Sequence, residues 1–301
     1  MGTKIVNYVL MFFLYSALGW TIESTYRSLG ETYRARKTTK EKKIINSGFL
    51  NGPLCPIYGT GAMVFEILLS PFKNHWWAVL LLGMVFADIV EYMTSVMMEK
   101  LFNARWWDYS EEFLNLHGRI CFKHTVYWAV FSLVYMYGVA PVYEYLISFV
   151  PQNVRNIALI VIFAIFSVDL FFTVKAALNL QKIMKKLEGI RTNVLMAGDY
   201  VKSAAGNLKG NTLAKYDEFV QTVTGTPERF EEWRTDVAKQ FKAARSALTE
   251  PRQAPAGEDE EIKVTPRMRR LYKLAPGISG KINKLAKEIE EKMDEIKARF
   301  Q

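Results

Sequence analysis

Long apolar segments alternate with basic, polar segments over residues 1–178 of the chain. A helix needs about 20 mostly apolar residues to cross the hydrocarbon core of a membrane. Five segments approach that length, and together they predict a multi-pass membrane domain at residues 1–178. The predicted spans are 5–23, 49–69, 76–98, 124–148 and 156–178.

The second predicted span begins with residues that interrupt a helix. Pro53 and Pro56 lack the amide hydrogen that a helix interior requires. We therefore expect a regular helix from about Pro56, preceded by a non-helical strip, LNGPLCP, at residues 50–56. Irregular backbone at membrane depth is tolerated where it is buried in protein or lines a cavity. The strip is thus either the lining of a cavity or an ordinary loop just outside the lipid.

The basic residues of the loops indicate how the spans are oriented. Lys and Arg are numerous after the first, third and fifth spans, whereas the second and fourth loops carry only Lys73 and Arg155. Cytoplasmic loops of membrane proteins collect positive charge. The alternation predicts a plasma-membrane protein with its amino terminus outside the cell and its carboxyl-terminal region in the cytoplasm.

Residues 179–301 form a different region, rich in Lys, Glu, Ala and Gln. Apolar residues recur at helical spacing after the fifth span and again at residues 280–300, which predicts packed helices or a short coiled coil. Further helices are expected at 211–223 and 226–248, with a disordered linker near 249–266. The predicted fold class is all-α, with five transmembrane helices and a cytoplasmic helical tail.

The third predicted span carries acidic residues that are costly on a lipid-facing helix. At about 100° per residue, Asp88, Glu91, Ser95 and Glu99 fall on one stripe of that helix. An acid on the lipid face costs at least about 2.5 kcal/mol, so we expect the stripe to face the bundle interior. The acids either form a functional polar site open to the cytoplasm or serve as hydrogen-bonded links between helices.

Neighbouring segments bring further polar groups to the same depth. Glu23 lies at the inner end of the first span, and Arg119 precedes the fourth. Arg119 either meets the carboxylates and binds an anionic group or anchors the helix at the interface. The segment FNARWWDYSEEFLNL between the third and fourth spans is expected to lie at the interface. Three other acids are expected to lie outside this cluster: Glu66, Glu144 and Asp169.

Composition and motifs narrow the classes of function. The net charge of +9 follows from the basic loops and does not predict a nucleic-acid partner. Two cysteines are too few for a disulfide framework. The sequence contains no G-x-x-x-x-G-K-[ST], H-E-x-x-H or G-x-S-x-G motif. The chain is therefore not expected to hydrolyse ATP itself, and no metal or cofactor is predicted.

Four strings along the chain resemble a known family. They are FFLYSALGWTIES, SGFLNGPLCPIYGTGA, EYMTSVMMEKLFNARWWDYS and NLHGRICFKHTVYW, all within residues 8–145. These strings resemble the ABC-transporter type IV family, a permease-like family of membrane proteins. The resemblance implies a multi-pass membrane protein for which a separate ATPase subunit is a candidate partner.

The motif positions of this resemblance, taken with the acidic stripe, define the predicted site. The predicted substrate-binding residues are Glu23, Asn51, Tyr58, Glu91, Ser95, Glu99, Asp108 and Arg119. The predicted cavity-shaping residues are Gly52, Pro53, Cys55, Pro56, Trp107, Tyr109, Gly118 and Cys121.

The sequence leaves three functions open. The first is a permease component with a cytoplasm-facing polar site for a small or lipid-like substrate. The second is a membrane-embedded enzyme that acts on a lipid or small polar substrate, with Glu91 or Glu99 as general base. The third is a scaffold or sensor that signals through its cytoplasmic helices. The candidate partners are the lipid bilayer, a separate ATPase subunit and a second copy of the chain.

Overall fold

The computed structural model is mostly helical over the part of the chain that it describes. That part comprises residues 2–38, 45–103, 105–206 and 264–300, with 232, 235–237, 239, 241 and 248. The chain divides into two compact units, residues 1–175 and 176–301. The helices predicted at 211–223 and 226–248 and the linker predicted near 249–266 lie wholly or mostly outside the described residues.

The helices of the first unit follow one another with short connections. In chain order they are α1 (Gly2–Thr38), α2 (Pro56–Leu69), α3 (Trp76–Phe102), α4 (Phe122–Val134), α5 (Ala140–Ser148) and α6 (Gln152–Gly206). A 3-10 turn at Ser70–Phe72 follows α2, and a π-helical turn at Tyr135–Val139 joins α4 to α5. Strands β1 (Asn115–Leu116) and β2 (Ile120–Cys121) form a short antiparallel hairpin before α4.

Among the described residues, four helical segments are long and apolar enough to cross a membrane. They are Gly2–Gly30, Trp76–Phe102, Phe122–Ser148 and Gln152–Thr192. These segments correspond to the first, third, fourth and fifth predicted spans.

The second predicted span, residues 49–69, is not confirmed. Helix α2 begins at Pro56, as the prolines predict, and its 14 residues extend only about 21 Å. The preceding residues 45–55 are not helical. A total of five spans is therefore not established by the fold.

Helix α1 continues well beyond the predicted span 5–23, to Thr38. Arg27 and Arg34, which the sequence analysis places in a loop, lie on this helix. No proline occurs in this segment, and the single Gly30 is tolerated, because an isolated glycine weakens a helix without ending it.

Helix α3 has one apolar face and one polar face, as predicted. The exposed residues recur every fourth position: Leu81, Val85, Ile89, Met93, Met97 and Leu101. On the other face Glu91 and Ser95 are only 4% and 1% exposed. The prediction that the polar stripe faces protein is therefore confirmed, and the apolar face suits contact with lipid.

An aromatic and aliphatic core holds α1, α2, α3 and the α4–α5 pair together. Tyr135 lies at its centre, with its ring centroid 5.1 Å from that of Tyr15 and 5.9 Å from that of Phe65. Other buried members of this core are Met11, Ala62, Leu69, Val79, Ala87, Met136, Ala140 and Tyr143.

Helices α1 and α2 approach closely where glycine leaves room. A Cβ atom at Gly59 would lie 2.4 Å from the carbonyl oxygen of Phe12 and 2.3 Å from Ser16 Oγ. A Cβ atom at Gly19 would lie 2.2 Å from the Tyr58 side chain. These distances are too short for real atoms, so the two glycines fix how α2 sits on α1.

The second unit contains the carboxyl-terminal part of α6 with α7 (Pro266–Leu274) and α8 (Pro276–Phe300). Leu180, Met184 and Leu187 of α6 are fully buried, as are Ile282 and Ile289 of α8. Ion pairs between Arg191 and Glu288 and between Lys281 and Glu188 link the two helices. The predicted apolar stripes are confirmed, whereas a coiled coil stays a prediction.

We expect Gly59→Ala to destabilise the protein and Gly61→Ala to leave it unchanged or slightly more stable. The new methyl at position 59 would overlap the α1 backbone, and such overpacking costs about 1–3 kcal/mol. At Gly61 nothing lies within 4 Å of the added atom. Thermal unfolding of the purified variants in detergent measures the difference, and equal melting temperatures would contradict the described packing.

Candidate functional site

Glu91 is the most buried acid of the polar stripe on α3, and it accepts two hydrogen bonds from other segments. Trp128 Nε1 on α4 donates to Glu91 Oε2 at 2.7 Å. The Tyr109 hydroxyl, in the connection between α3 and α4, donates to Glu91 Oε1 at 3.0 Å. Both donors are neutral, so they hold the carboxylate without neutralising its charge.

A ring contact and a further hydrogen bond connect the surroundings of Glu91 to the first two helices. The Tyr58 ring lies against the Trp128 ring, with a centroid distance of 5.5 Å. The Tyr58 hydroxyl donates to Glu23 Oε2 at 2.9 Å. Glu23 and Glu91, far apart in sequence, therefore belong to one group of contacts that we call the Glu91 network: Glu23, Tyr58, Glu91, Tyr109 and Trp128.

A charged rim lies next to this network, toward the end of α3. Arg119 donates from Nη1 to Ser95 Oγ at 3.0 Å and from Nη2 to the Glu99 carboxylate. Arg105 Nε lies 3.5 Å from the same Glu99 oxygen. Glu99 is therefore compensated by two guanidinium groups, unlike Glu91.

The loop between α3 and α4 is folded so that Tyr109 and Arg119 point back to α3. The Tyr109 amide donates to the Gly118 carbonyl at 2.8 Å, and Trp107 Nε1 donates to the Arg119 carbonyl at 2.9 Å. Gly118 has a φ of +67°, and a Cβ atom there would lie 2.6 Å from Asp108 Oδ1. Only glycine meets both conditions, since a side chain at this φ would be strained as well as crowded.

The non-helical strip before α2 is anchored to two helices. The Cys55 amide donates to the Ser16 carbonyl of α1 at 2.8 Å. The Gly52 amide donates to Asp169 Oδ2 of α6 at 2.8 Å. The strip is therefore fixed to the first unit by two backbone hydrogen bonds, with Leu50 and Cys55 buried and Asn51 and Pro53 exposed.

Two further polar contacts surround the Glu91 network. The Thr125 hydroxyl donates to Asp88 Oδ2 at 2.8 Å. His124 stacks on Tyr109 with ring centroids 4.3 Å apart, and its Nδ1 lies 3.1 Å from Cys121 Sγ. These contacts extend the polar region along the start of α4.

Burial changes the acidity of two groups in the connecting segments. Burial, followed by the effect of the nearby Glu91 carboxylate, raises the pKa of the Tyr109 phenol well above its usual value. Burial, with a smaller contribution from Glu23, raises the pKa of the Cys55 thiol to about 12. Tyr109 therefore stays a hydrogen-bond donor, and Cys55 stays a neutral thiol near pH 7.

Most of the predicted site residues are brought together at one end of the first unit. Tyr58 and Glu23 meet Glu91 through the network, and Ser95, Glu99 and Arg119 form the rim. Gly52, Cys55, Trp107, Tyr109, Gly118 and Cys121 shape the surrounding segments through the contacts described above, and Pro56 begins α2.

Three predicted residues lie at the margin of the site instead. The Asn51 side chain is exposed, and this residue contributes its carbonyl oxygen, which accepts from Asn46 Nδ2 at 2.7 Å. Pro53 is exposed in the strip. Asp108 is exposed, accepts from the Ser110 amide at 3.0 Å and reaches the rim only through Arg105.

The sequence analysis missed two residues of this region. Trp128 lies on an apolar helix, where the only clue is that a buried indole N–H needs an acceptor. Asp169, which the sequence analysis excludes from the cluster, is the residue that holds Gly52. Within the described residues, no group of three or more His, Cys, Asp and Glu side chains is arranged to hold a metal ion.

We expect Trp128→Phe to lower stability more than the control Trp77→Phe. Phenylalanine removes one of the two donors to buried Glu91, and an unsatisfied buried polar group costs about 1–3 kcal/mol. Trp77 is 55% exposed. Thermal unfolding in detergent measures both changes, and similar shifts for the two variants would argue against a structural role for the indole N–H.

Loss of the Asp169 carboxylate should expose the strip to solvent. In a Cys121→Ser background Cys55 is the only thiol, so its alkylation by a maleimide reports on the strip. We expect Asp169→Ala to increase the alkylation rate at every pH, because Gly52 loses its acceptor. With a pKa of about 12, the rate should also rise about tenfold per pH unit from pH 7 to 9, since the thiolate reacts.

The matched control for this experiment is Ser167→Ala, on the same helix. It removes a hydroxyl that donates to the Phe163 carbonyl at 2.7 Å. It should leave the alkylation rate of Cys55 unchanged. An unchanged rate in Asp169→Ala as well would show that the Gly52–Asp169 hydrogen bond does not restrain the strip.

Comparison with known proteins identifies the family of this chain but gives no match to an individual protein. Neither curated proteins nor solved structures give a match. The model of the family described as "Putative ABC-transporter type IV" matches residues 10–174, which is more than half of the chain and contains the whole Glu91 network. The family name suggests an ABC-transporter-type component. The chain therefore belongs to the ABC-transporter type IV family of membrane proteins.

Proposed function

We propose that this protein is the permease component of an ABC-transporter-like system, and that the Glu91 network with its charged rim binds the substrate. The observation that carries the proposal is that five segments (α1, α2, α3, the connection between α3 and α4, and α4) contribute side chains to one network around a buried carboxylate. Ionisable residues within membrane segments are energetically costly, and they commonly mark a pathway for a substrate or an ion. The ATPase would be a separate subunit, because the chain has no nucleotide-binding motif.

The charge distribution supports a substrate with a positively charged or hydrogen-bond-donating group. Glu91 is 4% exposed and is bonded to two neutral donors. A buried carboxylate without a cation beside it favours a partner that brings positive charge. In the rim, by contrast, the carboxylate of Glu99 is already compensated by the guanidinium groups of Arg119 and Arg105. A small or lipid-like molecule with a cationic head would suit the network.

Substrate access is proposed from the cytoplasmic side. The basic residues that follow the first, third and fifth predicted spans favour a cytoplasmic location for the end of the unit that holds the network. Although Arg27 and Arg34 lie on α1 and not in a loop, they still follow the apolar segment of that helix. The difference in basic charge between the two sides of the predicted spans is therefore retained.

Accessibility of α3 to a membrane-impermeant maleimide tests the permease function without knowledge of the substrate. In a background with Cys55→Ser and Cys121→Ser, Ser95→Cys places a thiol on the polar face of α3. Because Ser95 is 1% exposed, labelling requires the site to open. We expect it to occur from the cytoplasmic side under one condition and from the opposite side under a second, such as ATP with the partner ATPase. Right-side-out and inside-out vesicles separate the two directions.

Met93→Cys is the matched control, because Met93 lies on the exposed apolar face of the same helix. It should resist the impermeant reagent from both sides. Labelling of Ser95→Cys from one side under every condition would contradict alternating access and therefore the permease function. Co-purification of the full chain with an ATP-hydrolysing protein is the corresponding test of the proposed partner.

A further inference from the structure

A second polar cleft lies in the first unit, at the opposite end of the helices from the Glu91 network. It has a volume of about 370 Å³ and lies among the first turns of α1, the end of α5 and the start of α6. Its charged residues are Lys4, Glu66, Glu144 and Arg155. None of these residues belongs to the site described above.

The two cations and two acids of this cleft are not paired with each other. Within the described residues, neither Lys4 nor Arg155 lies within 4.0 Å of the carboxylate of Glu66 or Glu144. Arg155 Nη1 donates to Asn7 Oδ1 at 2.8 Å, while its buried Nε has no partner in the described part of the chain. Glu66 is paired instead with Lys73, whose Nζ lies 3.9 Å from Glu66 Oε1. Arg155 and the exposed Glu144 have no ion-pair partner among the described residues, so a partly buried guanidinium and a carboxylate face one cavity without compensating each other.

The cleft also borders an irregular part of the α4–α5 helix. Tyr135 begins the π-helical turn Tyr135–Val139, and its hydroxyl donates to Glu66 Oε2 at 3.2 Å. Ala140, directly after the turn, lines the cleft. Such wide turns are rare within helices and occur frequently at functional sites. Here the turn places the Tyr135 hydroxyl on the acid at the inner part of the cleft.

We propose that this cleft binds a zwitterion, a small group that carries an ammonium and an anionic oxygen group. The ammonium would lie beside Glu144, and the anionic group would contact Arg155 and Lys4. A single ligand would then supply an ion-pair partner to Arg155 and to Glu144, which have none among the described residues. The same chemistry occurs in an aminophospholipid headgroup and in a free aminophosphate or amino acid. This inference does not rest on the proposed permease function.

Lipid retention by the full-length protein tests the proposal. The protein is reconstituted in nanodiscs that contain equal amounts of phosphatidylethanolamine and phosphatidylglycerol, and the lipid that stays bound is measured by native mass spectrometry. We expect retention of phosphatidylethanolamine to exceed that of phosphatidylglycerol by about tenfold or more, the equivalent of 1.4 kcal/mol. Glu144→Gln should abolish this preference because it removes the partner of the ammonium, whereas Arg155→Gln should weaken retention of both lipids because both carry the phosphate. The control Lys284→Gln, an exposed residue of the second unit, should preserve the preference.

Competition with free O-phosphoethanolamine distinguishes the two sources of the ligand. If this compound displaces the lipid, or binds to protein that retains no lipid, the cleft recognises the zwitterion alone. If only the lipid binds, the acyl chains contribute and the ligand is a headgroup. Glu144 is exposed, so its variant should fold even if Arg155→Gln does not. The proposal is overturned if neither probe is preferred over phosphatidylglycerol, or if the preference survives in Glu144→Gln.

Discussion

An acid inside an apolar helix must receive hydrogen bonds from another segment, and this requirement organises the first unit. Glu91 is only 4% exposed, so its carboxylate depends on protein donors for its hydrogen bonds. Its donors come from α4 and from the loop before it, so that loop must fold back over α3. The positive φ of Gly118 and the bond between the Tyr109 amide and the Gly118 carbonyl make that fold possible. One buried carboxylate thus fixes the positions of α3, α4 and their connection.

The features that could be predicted from sequence are those with a local or periodic signal. The polar stripe of α3 repeats at helical spacing, and the start of α2 is marked by Pro56, so both were predicted correctly. The extended end of α1 was missed because polar residues after an apolar run resemble a loop, although nothing in them stops a helix. The five-span count was not confirmed, because residues 49–55 are not helical and α2 begins only at Pro56. The mean hydropathy of residues 49–69 does not reveal this late start.

The site partners depend on contacts that leave no local signal. Trp128 bonds to a residue 37 positions earlier, and Asp169 bonds to one 117 positions earlier. Separations of this length leave no periodic signal in the sequence, and both residues lie on helices of mostly apolar composition. Asp169 was expected to lie outside the acidic cluster, and its contact with the strip was not predicted, because the sequence gives depth along a helix but not the path of the non-helical strip. The strip brings the Gly52 amide to α6, and only the folded chain reveals this.

Three layers follow one another along the helices of the first unit: the polar cleft, the apolar core and the Glu91 network. On α1 the cleft residues Lys4 and Asn7 come first, Met11 and Tyr15 of the apolar core follow, and Glu23 of the network comes last. The twelve residues from Met11 to Glu23 correspond to about 18 Å of helix.

On the α4–α5 pair the order is reversed, as expected for an antiparallel neighbour: Trp128 of the network, Tyr135 of the core, then Tyr143 of the cleft. The Tyr15, Phe65 and Tyr135 rings therefore separate two polar regions, and a polar solute could not cross them without losing its hydrogen bonds. Tyr135 belongs to both the apolar core and the π-helical turn, and it also bonds to Glu66. Tyr135 therefore joins the cleft, through its hydrogen bond to Glu66, to the apolar core, through its ring packing on Tyr15 and Phe65.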